Sequence, residues 1–358
     1  MKTYTCLTLI GLLFTSLLSC KKSSAPNSAL NKPTPPPIDT SATGTKHDTL
    51  ITDVYVAGSI ASISAKTGHA QLWKNGVGTA LSNVPSTGLH VVVSNGNTYV
   101  CGNEGVLVDN RRAVYWKNFG YSTPLTDGND DSSVANDIAL QDSDILCVGN
   151  VSYKAGEKAV FWRNRQMTTL ASNATATRIL IKGNDIYITG SYTGEDGNVI
   201  ACYWKNGIIH SLNTNAEASG IAIDDNSNIY VCGSTHNATP VYWKNDVMTV
   251  LAKTTKWAYA NSIVIKGNDF YIVGTGIDDF YVGYDQAYYW KNGEPQYFSG
   301  ASGVNDIAIV GNNTFMTGMK IFYSHGPGYA RLWENTTIAY LVSDMPATFN
   351  GLYIDQHY

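Results

Sequence analysis

From residue 49 onward the chain alternates short apolar runs with polar turns. A first run such as Ile179-Leu180-Ile181 or Ile263-Val264-Ile265 leads through Lys-Gly-Asn-Asp to a second, Ile186-Tyr187-Ile188 or Phe270-Tyr271-Ile272, which ends at a glycine. A third run carries a tryptophan. The Asn-Gly that often follows it supplies the positive φ angles a type I′ hairpin needs, and a short fourth run comes next, as in Ile208 to Leu212. The pattern predicts four antiparallel strands per unit. Strands apolar on both faces are expected where neighbouring sheets cover both sides.

The unit repeats. Trp73, Trp116, Trp162, Trp204, Trp243, Trp290 and Trp333 each follow Leu, Tyr or Phe and precede Lys, Arg or Glu and then Asn, at separations of 43, 46, 42, 39, 47 and 43 residues. That is the period of a propeller blade, and the tryptophans are expected to pack between blades. Val54-Tyr55-Val56-Ala57-Gly58 is a second-strand pattern without a first strand before it, whereas Phe349-Asn350-Gly351-Leu352-Tyr353-Ile354-Asp355 is a first-strand pattern with nothing after it. The expected fold is all-β, a seven-bladed β-propeller of four-stranded blades, its ring closed by the C-terminal strand joining the N-terminal blade.

Ala70-Gln71-Leu72-Trp73-Lys74-Asn75-Gly76, followed by Leu81, resembles the extracellular HAF-type repeat, whose pattern is Ala-x-Leu-Trp-x-Asn-Gly with a later leucine. The resemblance covers nearly all of residues 49 to 358, although most units here have Tyr-Trp. It implies a repeat scaffold and no particular activity.

The N-terminus reads differently. Lys2 and the apolar stretch Leu7 to Leu18 form an export signal too short to span a bilayer, and Leu17-Leu18-Ser19-Cys20 resembles the lipobox of bacterial lipoproteins. That resemblance implies removal of residues 1–19, lipid attachment at Cys20 and, with Lys21 and Lys22 next, a lipid-anchored place at the outer membrane. Residues 20–48, rich in Ser, Thr and Pro, read as a disordered tether, which leaves 49–358 for the propeller.

Composition adds limits. The 33 glycines, 23 tyrosines and 8 tryptophans suit strands and turns, and a net charge of -4 offers no basic stripe for nucleic acid. Cys101, Cys147, Cys202 and Cys232 sit in apolar runs without metal-ligand spacing, so neither a metal site nor a cofactor is expected. Asp127, Asp130 and Asp131 share a loop that does not alternate as a calcium loop does. No nucleophile elbow, zinc-protease motif or phosphate-binding loop occurs, and a non-enzymatic chain is expected.

The connections that vary in length all fall on one face, the natural place for a site. There the candidate ligand residues are Trp257, Tyr259, Asp279, Phe280, Tyr281, Tyr284, Tyr323 and His325, whose rings and carboxylates suit a sugar or an extended peptide. The alternative is that these rings fold inward and stabilise long loops. Asp137 and Asp306 stand at equivalent places near the central channel, able in principle to act as acid and base, although their repetition points to a strand cap. The expected function is a membrane-anchored binding module, a monomeric propeller that recognises a glycan or an envelope protein. The alternatives are a hydrolase or lyase acting on an extracellular polysaccharide, and a structural envelope lipoprotein.

Overall fold

A computed structural model describes residues 50–61, 68–105, 110–278, 285–296, 300–321, 328–341 and 346–357. Cys20, Asp279, Phe280, Tyr281, Tyr284, Tyr323 and His325 lie outside the described residues. The described residues form strands joined by turns and loops, with no α-helix among them. The first three strands are β1 (Ile51–Ala61), β2 (Gly68–Lys74) and β3 (Val77–Ala80). Then come β4 (Ser86–Ser94), β5 (Asn97–Glu104), β6 (Arg112–Lys117), β7 (Thr123–Pro124), β8 (Ser132–Gln141), β9 (Asp144–Tyr153), β10 (Gly156–Arg163) and β11 (Gln166–Ser172). The middle of the chain supplies β12 (Ala174–Lys182), β13 (Asp185–Thr193), β14 (Val199–Lys205), β15 (Ile208–Thr214), β16 (Ala216–Ile223), β17 (Ile229–Thr235), β18 (Pro240–Lys244) and β19 (Val247–Val250). The last strands are β20 (Trp257–Lys266), β21 (Asp269–Ile277), β22 (Asp285–Lys291), β23 (Glu294–Gln296), β24 (Gly303–Val310), β25 (Asn313–Ile321), β26 (Gly328–Glu334), β27 (Thr337–Leu341) and β28 (Ala347–His357).

They pair antiparallel in consecutive fours, β4 to β7 through β16 to β19, with β28 beside β1 in the sheet β28-β1-β2-β3. The sets β20 to β23 and β24 to β27 are linked in strand pairing by one residue pair, Thr275 with Gly303, and pack face to face besides. Each set packs on the next through its first strand, and β28 packs against both β24 and β4.

The tryptophan signature explains much of this. All seven of its tryptophans are at most 4% exposed and sit between neighbouring sheets, as Trp73 does beside Phe315, Ala330 and Leu332. The following asparagine holds the hairpin. Asn206, at φ +51°, accepts from Ile186 N (2.9 Å) through Oδ1 and donates from Nδ2 to Asp185 Oδ1 (2.7 Å). Asn75 makes the same pair of bonds with Val54 N and Asp53, and Asn292 with Phe270 N and Asp269. Where glycine does not follow, Phe119, Arg165, Asp246 and Thr336 take positive φ themselves.

Every inner strand carries one bulge. The extra residues are Leu89, Asn136, Thr177, Ser219, Asn261, Asn305 and Asn350. The glycine within each second strand, which continues past it rather than ending there, answers to the same feature. A Cβ at Gly190 would run into the Thr175 carbonyl oxygen, and one at Gly149 or Gly274 would meet Val134 O or Tyr259 O in the same way.

Cys101, Cys147, Cys202 and Cys232 are free, buried thiols, and burial pushes each of them up in pKa.

Candidate functional site

The bulges build two adjoining rings of side chains where the inner strands converge. In the first ring the extra residues join neighbouring sheets. Asn136 Nδ2 donates to Ala176 O (2.7 Å), Thr177 Oγ1 to Ala218 O (3.0 Å), Asn261 Nδ2 to Val304 O (2.7 Å), Asn305 Nδ2 to Phe349 O (2.8 Å) and Asn350 Nδ2 to Gly88 O (2.8 Å). These bonds run from one inner strand to the next.

The residues one position later are His90, Asp137, Arg178, Gly220, Ser262, Asp306 and Gly351. They form the second ring. Asp137 Oδ1 accepts from Ile138 N (2.8 Å) and Oδ2 from Ile179 N of the next sheet (2.8 Å). Asp306 Oδ1 accepts from Ile307 N (3.0 Å) and Ser262 Oγ (2.7 Å), and its Oδ2 accepts from Leu352 N (3.0 Å). His90 stands between the two carboxylates, with Nδ1 2.8 Å from Asp137 Oδ1 and Nε2 3.3 Å from Asp306 Oδ2. The Nδ1 approach is an ion contact rather than a well-directed hydrogen bond. Arg178 Nη2 lies 3.2 Å from Asp306 Oδ1. Gly351 leaves room for this, since a Cβ there would stand 2.6 Å from His90 Cα.

Burial opposes charge on all four groups, and their mutual pairing outweighs it. Asp137 is held below the ordinary carboxylate range by His90 and then Arg178, and Asp306 by Arg178 and then His90. His90 rises to about 9, chiefly through Asp137, and Arg178 is also raised, through Asp306 and Asp137. Both carboxylates therefore stay ionised and saturated with donors. They join strands, and neither is suited to giving up a proton at neutral pH.

Around this network lie connected openings. A small one of about 160 Å³ reaches His90, Asp137, Arg178, Ser262 and Asp306. A wider mouth of about 480 Å³ is lined by the first ring, Arg178 and Met319. The inner strands start at the variable connections and reach their bulges before the charged ring, so the mouth opens toward the variable face. A groove of about 700 Å³ shares Leu89 and Asn136 with the mouth and runs outward past Arg111, Asp131, Asn150, Tyr153 and Glu157. Glu157 also lines the next opening, of about 360 Å³, together with Tyr192 and Glu217. The result is a continuous track of mixed polar and apolar surface.

The aromatic sector expected from the sequence is represented by two residues. Trp257 and Tyr259 lie two apart on β20, half-buried, and Lys256 Nζ sits 4.1 Å from the Trp257 ring centroid. Neither lines the openings described above. The connection before them is tied down: Tyr288 Oη accepts from Thr254 N (2.7 Å) and Thr255 N (2.9 Å), and Asp278 Oδ1 accepts from Lys256 N (3.0 Å). Asp127 Oδ1 accepts from Asn129 N, an ordinary turn contact, and no group of metal-ligating side chains occurs among the described residues.

Sequence reasoning singled out Asp137 and Asp306 and passed over His90 and Arg178, which share their column in the repeat. Reading that column for charge would have found all four. Asp131 was weighed only as a calcium ligand, whereas Arg111, Tyr153 and Glu157 stand in no motif.

Residues 211–238 match a family model described as a beta-propeller repeat. A search of curated proteins finds no match. Among solved structures the chain is similar to a puromycin-hydrolyzing peptidase of Mycobacterium tuberculosis, with TM-score 0.51 and 9% identity over 81% of this chain and 53% of that one. The chain thus spans about half the length of that peptidase. Two family-43 glycoside hydrolases also match. One is thermostable, with TM-score 0.34 and 11% identity over 59% of this chain and 93% of that one. The other is the Xanthomonas citri enzyme complexed with xylose, with TM-score 0.34 and 9% identity over 63% and 95%. The expectation of a non-enzymatic chain is corrected by the likeness in fold to a peptidase: a fold of this kind can support catalysis, so the missing catalytic motif does not exclude it. The chain is an all-β protein of four-stranded antiparallel sheets that carries a β-propeller repeat.

Proposed function

We propose that this chain is a seven-bladed β-propeller, closed where β28 completes the sheet of β1, and that it acts on an extended glycan held along its variable face. The closed ring is supported by the pairing of β28 with β1 and by bonds such as Asn350 to Gly88 O that pass from sheet to sheet. The functional reading is carried by the track itself, in which shared residues connect mouth, groove and outer opening. Its amides, hydroxyls and carboxylates match sugar hydroxyls, and Tyr153 and Tyr192 offer ring faces.

Hydrolysis is the chemistry that fits this track. Asp131 and Glu157 are exposed on one groove, and in this proposal they supply the two carboxyl groups that glycoside cleavage requires. Asp137 and Asp306, held ionised, are left to brace the ring. In the same proposal residues 1–19 are removed, Cys20 carries the lipid, and residues 20–48 tether the propeller at the outer membrane, near envelope polymers.

The test runs the purified full chain through gels containing each of a panel of soluble polysaccharides, and assays the same mixtures for new reducing ends. One glycan class should retard the protein and release reducing ends, with Glu157→Gln stopping release and sparing retardation. Retardation without release would remove hydrolysis and leave recognition; retardation by no glycan would sink the polymer reading.

A further inference from the structure

Arg178 has unspent capacity. A guanidinium carries five N–H donors in a planar fork, and among the described residues Arg178 has one close partner, Asp306 Oδ1 at 3.2 Å from Nη2. Its side chain is 19% exposed and lines both the inner opening and the wider mouth, so it can be reached from the variable face. Around it, Asn136, Asn305 and Asn350 each have an Nδ2 bond to a neighbouring carbonyl, which leaves a second amide hydrogen on each available to the mouth. Leu89 and Met319 add apolar surface to the same wall. Arg178 and these amides bring several N–H donors together at the base of this mouth.

The partner of matching shape and charge for a half-buried guanidinium fork is a carboxylate, which it can hold through two parallel hydrogen bonds. The charges of Asp137 and Asp306 are balanced by His90 and Arg178, so an entering anion meets no net negative field at the ring. A metal ion would face Arg178 and the His90 imidazolium directly. The outward track has the opposite character. Asp131, Glu157 and Glu217 line it and outnumber Arg111, the cation on the same track, and carboxylates closer together than a Debye length of about 8 Å repel one another. One acidic group therefore fits at the mouth, and a chain of acidic groups does not fit along the groove.

We propose that the channel mouth binds the carboxylate of a single terminal uronic acid, with Arg178 receiving it and the neutral remainder of the oligosaccharide lying along the groove. This rests on the glycan reading given above and specifies its ligand.

The experiment is calorimetric titration of the full chain with three probes: a neutral oligosaccharide ending in one glucuronic acid, the same oligosaccharide with that carboxyl reduced to an alcohol, and a polyuronate of equal length. A hydrogen-bonded charge lost from the ligand should weaken binding about ten- to a hundredfold for the reduced probe. The polyuronate should also bind more weakly than the singly acidic probe. Arg178→Lys keeps the charge but not the fork and should narrow the preference for the acidic probe, and Asn305→Ala, which leaves the ion pairs intact, should narrow it less. Equal binding of the acidic and reduced probes by the unmodified chain would overturn this inference and leave the groove reading standing. Tightest binding of the polyuronate would overturn the single-acid arrangement. Failure of all three probes, together with the polysaccharide panel, would overturn both.

Discussion

Removing the Asp306 carboxylate should cost more stability than any exposed charge in the chain. It is 4% exposed and receives Ser262 Oγ, Ile307 N and Leu352 N, while His90 and Arg178 pair with it from two other sheets. Asp306→Ala leaves two half-buried cations short of a partner and two backbone amides without an acceptor. Breaking a buried ion pair from one side typically costs about 3–5 kcal/mol. For a domain of this size each kcal/mol shifts the melting temperature by about 2–4 °C, so the drop should be roughly 6–20 °C. The assay is thermal unfolding followed by near-ultraviolet circular dichroism at pH 7. Asp225→Ala is the control, because its carboxylate is 96% exposed and among the described residues meets Lys182 at 3.4 Å; it should leave the midpoint unchanged. A drop of less than about 2 °C for Asp306→Ala would refute the reasoning, since it would mean that the charged ring contributes almost nothing to joining the sheets.

Other consequences can be measured on the same material. The His90 contribution is fully present below its unfolded value, near 6.5, and lost as pH rises through about 9; the melting temperature should fall across that window, and His90→Asn should flatten the fall. At the acid end Asp137 and Asp306 are depressed, so their contribution is present above the unfolded value near 3.8 and lost as pH drops below it, giving a second decline that Asp306→Asn should reduce. Gly190→Ala places a methyl group against Thr175 O and 3.0 Å from Trp204 Cζ3, and should destabilise by about 1–3 kcal/mol in chemical denaturation. Thr336→Gly should do the reverse, since a β-branched residue at φ +67° is strained, and a gain of about 1 kcal/mol is expected.

Much of the fold was legible because its devices repeat. Trp73 and its six counterparts mark the period, and Asn-Gly after several of them marks the outer hairpin. The asparagine does more than its turn propensity suggests, since Asn206 also joins β13 through Ile186 N. The second-strand glycine read as a strand end, whereas Gly190 faces a carbonyl of the inner strand across a bulge. The bulges were hidden because a single polar residue such as Asn136 or Thr177 inside an apolar run looks like ordinary alternation. For the same reason His90 and Arg178 were missed, although each pairs with an aspartate the sequence reading had noticed. The track past Tyr153 and Glu157 is assembled by sheets from separate repeats, and spacing within one repeat cannot show it.

Carboxyl footprinting tests the glycan track most directly. The full chain is treated with a carbodiimide and an amine, with and without the polysaccharide that retards it most, and modification is read residue by residue by mass spectrometry. Protection of Asp131, Glu157 and Glu217, with Asp185 and Asp225 on the hairpin side unchanged, is the expected result. Unaltered labelling of Asp131 and Glu157 in a saturated complex, or equal protection of Asp185 and Asp225, would contradict it.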